Sequence, residues 1–491
     1  MNFKTIIYFL LERFNKFYVG LILFVFITSN LNAQELWGAA NSNYAGQMGL
    51  SMNPAVVVGA PFNWELHVFS FDANAANNYM YLKQGRGLIQ SVAGNNNGDP
   101  STDRYTTSDK WSFGSTFFKA PAILYSQKKF GVSFSTSLRA GYSAVDVPWH
   151  LAKFGKEGFD YDPLQGYFFE GGNVKIGMIS WQETAITLGA LAIDDGSNYL
   201  TVGLTGKNNR GFESAYLNLD QVTYNSSADS LLIVQNINMN YGHAVPEENE
   251  YKIQSILTQR GKGWGINAGV QYIRNRNSNF YRPCSGNDEK PYDFKLGVSM
   301  VDLGYLTFNK DARTYLFENL GTDWFYIDTA KFIDVTQVDS LFSTQFTGKP
   351  TSTRYFRKFK IATPAAVSFQ FDWALGNHFF VNASVIQRIV LSKIALRRMN
   401  QLALMPRYER KRFEVAVPIS FYEQFKPRVG LGIRWGALTI GSDMLGPLFG
   451  LTDSYGADFY VGLSIKSKGK CGGSNGRVKK RSIEKCKVPN H

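Results

Sequence analysis

Val429-Gly-Leu-Gly-Ile-Arg-Trp435 and Val461-Gly-Leu-Ser-Ile-Lys466, two runs near the C-terminal end of the chain, alternate apolar residues with glycine, serine or a cation. An alternation of period two places the two kinds of residue on opposite faces of a β-strand. A water-soluble barrel of this size would bury the bulky apolar face inside, whereas a barrel surrounded by lipid turns it outward. The stretch from Phe425 to Lys466 therefore predicts consecutive strands of a transmembrane β-barrel.

The N-terminal residues have the pattern of a secretory signal peptide. A start with basic residues is followed by the apolar run Tyr18–Thr28 and by the small and polar residues Ser29–Ala33. The apolar run is shorter than the roughly 20 residues that a helix needs to cross the hydrocarbon core. A permanent N-terminal anchor is therefore the disfavoured alternative, and we predict that residues 1–33 are cleaved off after Ala33.

The mature chain is predicted to consist of an N-terminal plug, one barrel and a tail. Residues 34–62 are rich in Ala, Gly, Asn and Met and follow neither the helix nor the strand period, so we predict a compact plug or hatch. Residues 63–466 contain recurrent alternating runs joined by turns such as Asp194–Asn198 and Ala374–Asn377, which predict an all-β, antiparallel barrel of about fourteen strands. Residues 467–491 are predicted to be a basic periplasmic tail.

The predicted connections between strands are unequal in length. Ala93–Ser108 and Lys310–Arg357 are long and polar, whereas the turns near residues 195 and 375 are tight. Outer-membrane barrels have long loops at one rim and short turns at the other. Pro148–Tyr161 interrupts the strand pattern with apolar residues at helical spacing, which predicts a short helix, with an irregular loop as the alternative.

The composition agrees with a barrel and limits its partners. Phe, Tyr and Trp make up 15% of the chain, which suits the aromatic girdles of a membrane barrel. The net charge is +13, but a large share lies in the tail, so we predict outer-membrane lipid and no nucleic acid as a partner. The tail is either simply solvated or contacts acidic periplasmic partners or lipid headgroups.

Three cysteines are too few for a disulfide framework. Cys471 and Cys486 flank the basic residues of the tail and are a candidate disulfide in an oxidising compartment, which would leave Cys284 unpaired.

The sequence predicts neither an enzyme nor a cofactor. It contains no Gly-x-Ser-x-Gly elbow, no His-Glu-x-x-His pair and no Walker-type phosphate loop. The five histidines are scattered, and candidate metal ligands such as Asp146 and His150 form only isolated pairs. Asp194-Asp195 and Asp288-Glu289 each offer two carboxylates, against the about six to eight oxygens that calcium takes. We predict solvated turns there and no metal site.

Both ends of the mature chain resemble a known family. One such stretch is Gly46-Gln-Met-Gly-Leu-Ser-Met-Asn-Pro-Ala55, which precedes an alternating strand and Asn77-Asn-Tyr79. It is similar to the N-terminus of Bacteroidetes outer-membrane barrels that are grouped as DUF5723. These barrels are akin to the FadL and PorV barrels. Phe413–Ser420, Pro427–Arg434 and Ala437–Asp443 resemble the last strands of the same family.

The resemblance implies a hatch motif at Asn53, Pro54 and Ala55, because this tripeptide belongs in FadL-like barrels to an N-terminal hatch lodged in the lumen. Val56-Val-Val58 departs from the Asn-Pro-Ala-Gly that is common in fatty-acid transporters of that type. The FadL resemblance implies a passive transporter of a small hydrophobic solute. The PorV resemblance implies the alternative, a non-transporting accessory barrel that docks periplasmic or secretion-system proteins. A soluble secreted β-sandwich is the rival fold, because its short alternating strands look alike in sequence.

Overall fold

The computed structural model describes residues 37–85, 101–227, 231–246, 257–274, 292–327, 335–350, 352–354, 356–376, 378–423 and 426–467. The predicted signal peptide, nearly all of the predicted tail, and the candidate disulfide Cys471–Cys486 lie outside these residues. Within the described ranges, no helix is both long enough and apolar enough to span a membrane.

The described residues form a closed antiparallel barrel of 14 strands. Closure is made by the first strand pairing with the last, where Leu66 lies opposite Ile465. A closed barrel satisfies its backbone hydrogen bonds without a free edge, as a structure in lipid must. The predicted all-β barrel and its number of strands are thus confirmed, and a β-sandwich is ruled out.

Some of the 14 barrel strands are interrupted and consist of two short strands, so the chain contains more than 14 separate strands. In chain order they are β1 Trp64–Asn77, β2 Met80–Leu82, β3 Ser101–Asp103, β4 Lys110–Ser126, β5 Phe130–Val147, β6 Phe168–Asp194, β7 Asn198–Ser227, β8 Leu231–Ala244, β9 Gly261–Arg274, β10 Phe294–Phe308, β11 Ala312–Trp324, β12 Phe359–Ala362, β13 Ala366–Ala374, β14 Phe379–Arg388, β15 Gln401–Glu409, β16 Phe413–Ala416, β17 Ile419–Tyr422, β18 Arg428–Val429, β19 Leu431–Trp435, β20 Leu438–Ser442 and β21 Gly456–Lys466. β2 and β3 form a separate two-stranded sheet.

The helices of the described residues are short and lie between strands or before the barrel. They are α1 Trp37–Ala40, α2 Trp149–Glu157, α3 Val335–Thr347 and α4 Leu445–Phe449, with 3-10 helices at Gly46–Ser51, Pro54–Val57 and Asp162–Leu164. α2 confirms the short helix that the sequence predicts within Pro148–Tyr161.

The connections differ between the two rims of the barrel. Short turns join β4 to β5, β6 to β7 and β13 to β14 at the rim where β1 begins and β21 ends, which we call the turn rim. The opposite rim, the loop rim, carries longer connections such as residues 78–109 between β1 and β4. The predicted inequality is therefore present in these connections, but not in all: residues 275–293 connect β9 to β10 from the turn rim, and residues 309–311 connect β10 to β11 from the loop rim. The prediction of a polar loop over Lys310–Arg357 is wrong, because this stretch contains β11 and α3.

β6 and β7 continue beyond the loop rim and form a sheet outside the barrel, which we call the extension. Both strands are far longer than the about 9–11 residues that a tilted strand needs to cross a bilayer. The first part of β7 pairs with β9, whereas its second part pairs with β8, and β8 pairs with β11. α2 and α3 pack on this sheet over an apolar core that includes Phe154, Tyr224 and Phe317. Packing on this core stabilises β11 and α3 in a stretch where the sequence predicts a loop.

The barrel wall is apolar outside and polar inside. Leu402 and Leu404 of β15 are about half exposed on the outer surface, and Trp435 of β19 is 77% exposed. Arg434 and Ser464, one residue from outward side chains, are buried on the inner face. Such a broad apolar exterior is unfavourable in water and suits lipid. The alternation quoted from Val429 to Trp435 thus has the orientation that the sequence predicts.

Candidate functional site in the barrel lumen

The N-terminal segment, residues 37–62, contacts inward side chains on opposite sides of the barrel. The Trp37 indole N–H donates to the Gln401 side chain of β15 at 3.1 Å. The Gln47 amide donates to the Ser133 hydroxyl of β5 at 2.7 Å. Because β5 and β15 face each other across the ring of strands, the segment lies between the two walls.

Asn53, Pro54 and Ala55 form a capped turn within this segment. The Asn53 side-chain oxygen accepts the Ala55 N–H at 3.0 Å and so caps the 3-10 helix that begins at Pro54. The Asn53 amide also donates to the Val270 carbonyl of β9 and to the Gln370 side chain of β13, both at 3.1 Å. The structure therefore attaches the tripeptide to the wall, while its role as a hatch stays a prediction.

Buried ion pairs hold another part of the same segment. Arg407 of β15 binds Asp372 of β13 at 2.7 Å and Glu409 at 3.1 Å, and its side chain is fully buried. Glu409 also accepts the backbone N–H of Asn43 in the N-terminal segment at 3.1 Å. The segment therefore makes polar contacts with the wall in addition to apolar ones, in which Met48 and Met52 belong to a buried cluster with Ile386 of β14.

The loop between β14 and β15, residues 389–400, folds into the lumen, and we call it the inward loop. The backbone N–H of Arg397 donates to the Ser143 hydroxyl of β5 at 3.0 Å, on the opposite wall. Leu396 is buried in an apolar cluster with Ile179 of β6. The inward loop thus crosses the lumen on the loop-rim side of the N-terminal segment.

An ion-pair cluster connects this loop to three strands. Arg139 of β5 binds Asp302 of β10 through two nitrogens, at 2.9 and 3.0 Å, and Glu183 of β6 at 3.1 Å. Lys207 of β7 binds Asp302 at 2.6 Å and Glu183 at 3.1 Å, while Arg398 of the inward loop reaches Asp302 at 3.3 Å. The side chains of Lys207 and of both carboxylates are at most 10% exposed. Solvent therefore screens these charges only weakly.

Asp302 reaches the cluster through a β-bulge. The register of β10 against β9 shifts between Met300 and Leu303, and Asp302 has a φ of 56°, which side chains other than glycine seldom adopt. Its N–H is satisfied by the Asn267 side chain at 2.8 Å. Bulges re-aim side chains, and unusual backbone conformations concentrate at functional sites. In the sequence, the only signal of Asp302 was a break in the alternation of Met300-Val-Asp-Leu303.

A chamber of about 140 Å³ lies between the N-terminal segment and the inward loop. Leu50 and Ser51 line it from the segment, and Leu396–Met399 line it from the loop. Its aromatic lining consists of Phe113, Phe117, Tyr142 and Trp181. Its cationic lining consists of Lys119, Arg139, Lys207, Arg397 and Arg398. Its acidic lining consists of Asp72, Glu183 and Asp302.

Of the acidic and histidine residues that the sequence singled out, Asp194, Asp195 and His150 lie apart from this chamber, and Asp288-Glu289 lies outside the described residues. Asp194 and Asp195 occupy the turn between β6 and β7, where the Asp195 carboxylate accepts the Ser197 N–H at 3.0 Å. His150 lies on α2, with its Nδ1 2.6 Å from the Tyr224 hydroxyl. In the part of the chain that the structure describes, no three His, Cys, Asp or Glu residues are grouped so that they could hold a metal ion.

The closed barrel, its apolar exterior and its polar lumen define a transmembrane β-barrel of the outer-membrane type. Residues 54–443 match the profile of a family of unknown function, DUF5723. The chain belongs to this family, as the resemblance at its two ends predicts. No curated protein sequence matches the chain.

Solved structures with some similarity include three barrels. A FadL homologue of Pseudomonas aeruginosa has 10% sequence identity and a TM-score of 0.39, with 89% of this chain and 99% of that chain covered. The toluene transporter TbuX of Ralstonia pickettii has 9% identity and a TM-score of 0.40, with 86% and 94% covered. The toluene transporter TodX of Pseudomonas putida has 9% identity and a TM-score of 0.31, with 90% and 100% covered.

Proposed function

We propose that this barrel is a passive transporter of a small solute and that the N-terminal segment and the inward loop are its two gates. The chamber that lies between these two elements is the observation that carries the proposal. A solute that enters from either rim reaches the chamber only when the gate on that side moves. The resemblance implies a hydrophobic solute, and Phe113, Phe117 and Trp181 offer the chamber aromatic surface for an apolar body.

Part of the contacts of the two gates is polar, and these contacts support such movement. Hydrogen bonds of the kind made by Gln47 and Asn53 can be exchanged for bonds to water, so each contributes only about 0.5–1.5 kcal/mol net. On this proposal Asn53, Pro54 and Ala55 anchor the plug to β7, β9 and β13, which fits the hatch role implied by the resemblance.

The cellular location of the protein and the order of its segments are part of the proposal. Residues 1–33 direct the chain across the inner membrane and are removed after Ala33, residues 34–62 form the plug, residues 63–466 the barrel, and residues 467–491 a periplasmic tail. The turn rim then faces the periplasm, because both chain ends of the barrel lie there. Sequencing the N-terminus of the protein purified from outer membranes tests the cleavage site, and a mature protein that begins with Met1 contradicts it.

Flux through reconstituted protein tests the transport function. The full mature chain is inserted into liposomes and the uptake of a small apolar solute, benzyl alcohol, is followed. The variant Arg398→Ala, which frees the inward loop from Asp302, is expected to raise uptake several-fold above wild type. Lys393→Ala, at an exposed position of the same loop, is the matched control. If none of the three proteins exceeds protein-free liposomes, the barrel is not a transporter of this solute class.

The extension supports a second candidate function, an accessory barrel that docks other proteins. Tyr167, Phe168, Phe325 and Tyr326 are each about 60% exposed at its far end, and aromatic side chains are enriched in protein interfaces. Because the extension lies beyond the loop rim, its partner would be a cell-surface or secretion-system protein. Cross-linking in cells of wild type and of Phe168→Ser/Phe325→Ser tests this function. Recovery of the same proteins from both, or of none, contradicts it.

A further inference from the structure

The chamber carries more positive than negative charge. Five cationic side chains line it against three carboxylates, and one of the five, Arg397, also pairs with Asp146 at 3.5 Å, which leaves one cation in excess. Of these carboxylates, Glu183 and Asp302 are already shared among Arg139, Lys207 and Arg398. An excess of buried cations is costly unless an anion compensates it. The charge balance of the chamber therefore favours an anionic ligand.

Two buried side chains that line the chamber hold N–H groups without a hydrogen-bond partner. Asn74 is fully buried, and neither its Nδ2 nor its Oδ1 is paired. Trp181 is 2% exposed, and its Nε1 is unpaired. Buried donors of this kind are almost always satisfied, because an unmade hydrogen bond costs the desolvation of the group. The two unpaired donors therefore indicate a ligand with acceptor oxygens.

Both donors and two of the cations, Lys119 and Arg139, belong to one wall of the chamber. Trp181 of β6 lies directly opposite Arg139 of β5 in the strand register, and the Arg139 guanidinium lies 4.9 Å from the centre of a Trp181 ring. Phe117 of β4 is the next residue in the same row, followed by Asp72 of β1. Aromatic surface, N–H donors and positive charge thus meet over four neighbouring strands.

The volume of the chamber limits the size of the ligand. About 140 Å³ is close to the volume of an engineered cavity of about 150 Å³ that accommodates benzene. One aromatic ring with a small substituent fits this space. The aromatic lining also favours a planar ring through stacking.

From these features we propose that the chamber binds a small aromatic carboxylate. The ring of this ligand lies against Phe117 and Trp181. Its carboxylate oxygens accept hydrogen bonds from Asn74, Trp181 and the guanidinium groups of the inward loop. Arginine suits this role, because its planar N–H groups match a carboxylate. The proposal names the solute of the transporter proposed above. It rests on the transport function only in saying that the bound ligand is transported, since binding is testable without transport.

Binding of benzoate to the purified full mature chain in detergent is the first test, with benzyl alcohol as an uncharged ligand of the same size. Isothermal titration is expected to show at least about tenfold tighter binding of benzoate, because charge-assisted hydrogen bonds are lost with the alcohol. Equal affinity for the two ligands, or binding of neither, overturns the proposal.

Asn74→Leu and Trp181→Phe test the two unpaired donors. Asn74→Leu removes buried polar atoms that lack a partner, so its unfolding temperature is expected to stay constant or rise. Trp181→Phe also leaves unfilled space at a buried site, so a moderate decrease is expected for this variant. Each substitution is expected to lower the affinity for benzoate about tenfold and to leave that for benzyl alcohol unchanged. Trp373→Phe, at an outward and half-exposed position of β13, is the matched control. Folded variants that bind benzoate as wild type does would show that the donors face only water, and this overturns the proposal.

Uptake into liposomes separates this proposal from the transport function. If benzoate binds with the expected dependence on Asn74 and Trp181 but is not taken up, the binding site stands and the transport function fails. If both solutes are taken up and neither variant changes their ratio, transport stands and the carboxylate site is refuted.

Discussion

Arg139 on β5 and Asp302 on β10 form a two-pronged ion pair across the lumen, with nitrogen–oxygen distances of 2.9 and 3.0 Å. The strands β6, β7 and β9 lie between them around the barrel. The pair therefore joins parts of the wall that the strand ladders connect only indirectly. Since Lys207 and Arg398 bind the same carboxylate, Asp302 is the common partner of three cations.

The substitution Asp302→Asn is expected to destabilise the barrel by about 3–5 kcal/mol, because it leaves buried cations without their shared partner. Chemical unfolding in detergent micelles measures this loss of free energy. Asp323→Asn, at an exposed position of β11, is the control and is expected to change stability by less than about 0.5 kcal/mol. Equal stabilities of the two variants would show that the cluster contributes little.

Gly203→Ala is expected to displace the N-terminal segment at its Asn-Pro-Ala tripeptide. A Cβ added at Gly203 of β7 would lie 2.4 Å from the backbone carbonyl carbon of Pro54, so one of the two main chains must move. We expect a loss of about 1–3 kcal/mol from overpacking and faster protease cleavage between residues 37 and 62. Gly206→Ala on the same strand is the control, since its Cβ meets nothing within 4 Å. Indistinguishable cleavage of the two variants would contradict the close packing of this turn.

The loop-rim ion pairs of Asp103 are expected to make stability depend on pH. The Asp103 carboxylate lies 2.8 Å from Lys153 and 2.6 Å from Lys156 of α2. Partial burial alone would raise the pKa of Asp103, but the two ammonium groups outweigh it and lower this pKa to about 2. Because the pKa of Asp103 is lower in the folded than in the unfolded chain, its ion pairs stabilise the protein fully at pH values above the ordinary pKa of 3.8. The contribution is lost as the pH falls from about 4 to about 2.

The unfolding temperatures of wild type and Asp103→Asn measure this effect. Wild type is expected to be the more stable of the two at pH 7, and the difference is expected to shrink between pH 4 and pH 2. A difference that stays constant over this range would contradict the assignment of the pKa to these ion pairs.

Leu404→Arg tests the lipid-facing surface of β15, where Leu404 is 47% exposed. An arginine facing the middle of the bilayer is expected to cost about 2–4 kcal/mol, measured as the free energy of unfolding from phospholipid vesicles. Phe325→Arg, at a similarly apolar and 62% exposed position on the extension, is expected to have almost no effect in the same vesicles. If both substitutions are tolerated equally, the outer surface of the barrel does not contact lipid.

The candidate site was less predictable than the barrel around it. The resemblance singled out Asn53, Pro54 and Ala55, and the structure places them against the wall. Asp302 and Arg398 gave almost no signal, because a single carboxylate in a strand or an arginine in a loop has many ordinary explanations. The sequence of Lys310–Arg357 predicts a loop, because α3 and β11 depend on an apolar core contributed by β7 and β8.

The class of the protein follows from local patterns in its sequence. The alternation from Val429 to Trp435 depends only on neighbouring residues, so it specifies a two-faced strand, and the kinds of side chain on the two faces specify lipid outside and a polar lumen. The tertiary structure alone decided where the inward loop crosses and which charges meet in the chamber. Arg139 and Asp302 are 163 positions apart in the chain, and only the closure and register of the barrel bring them together.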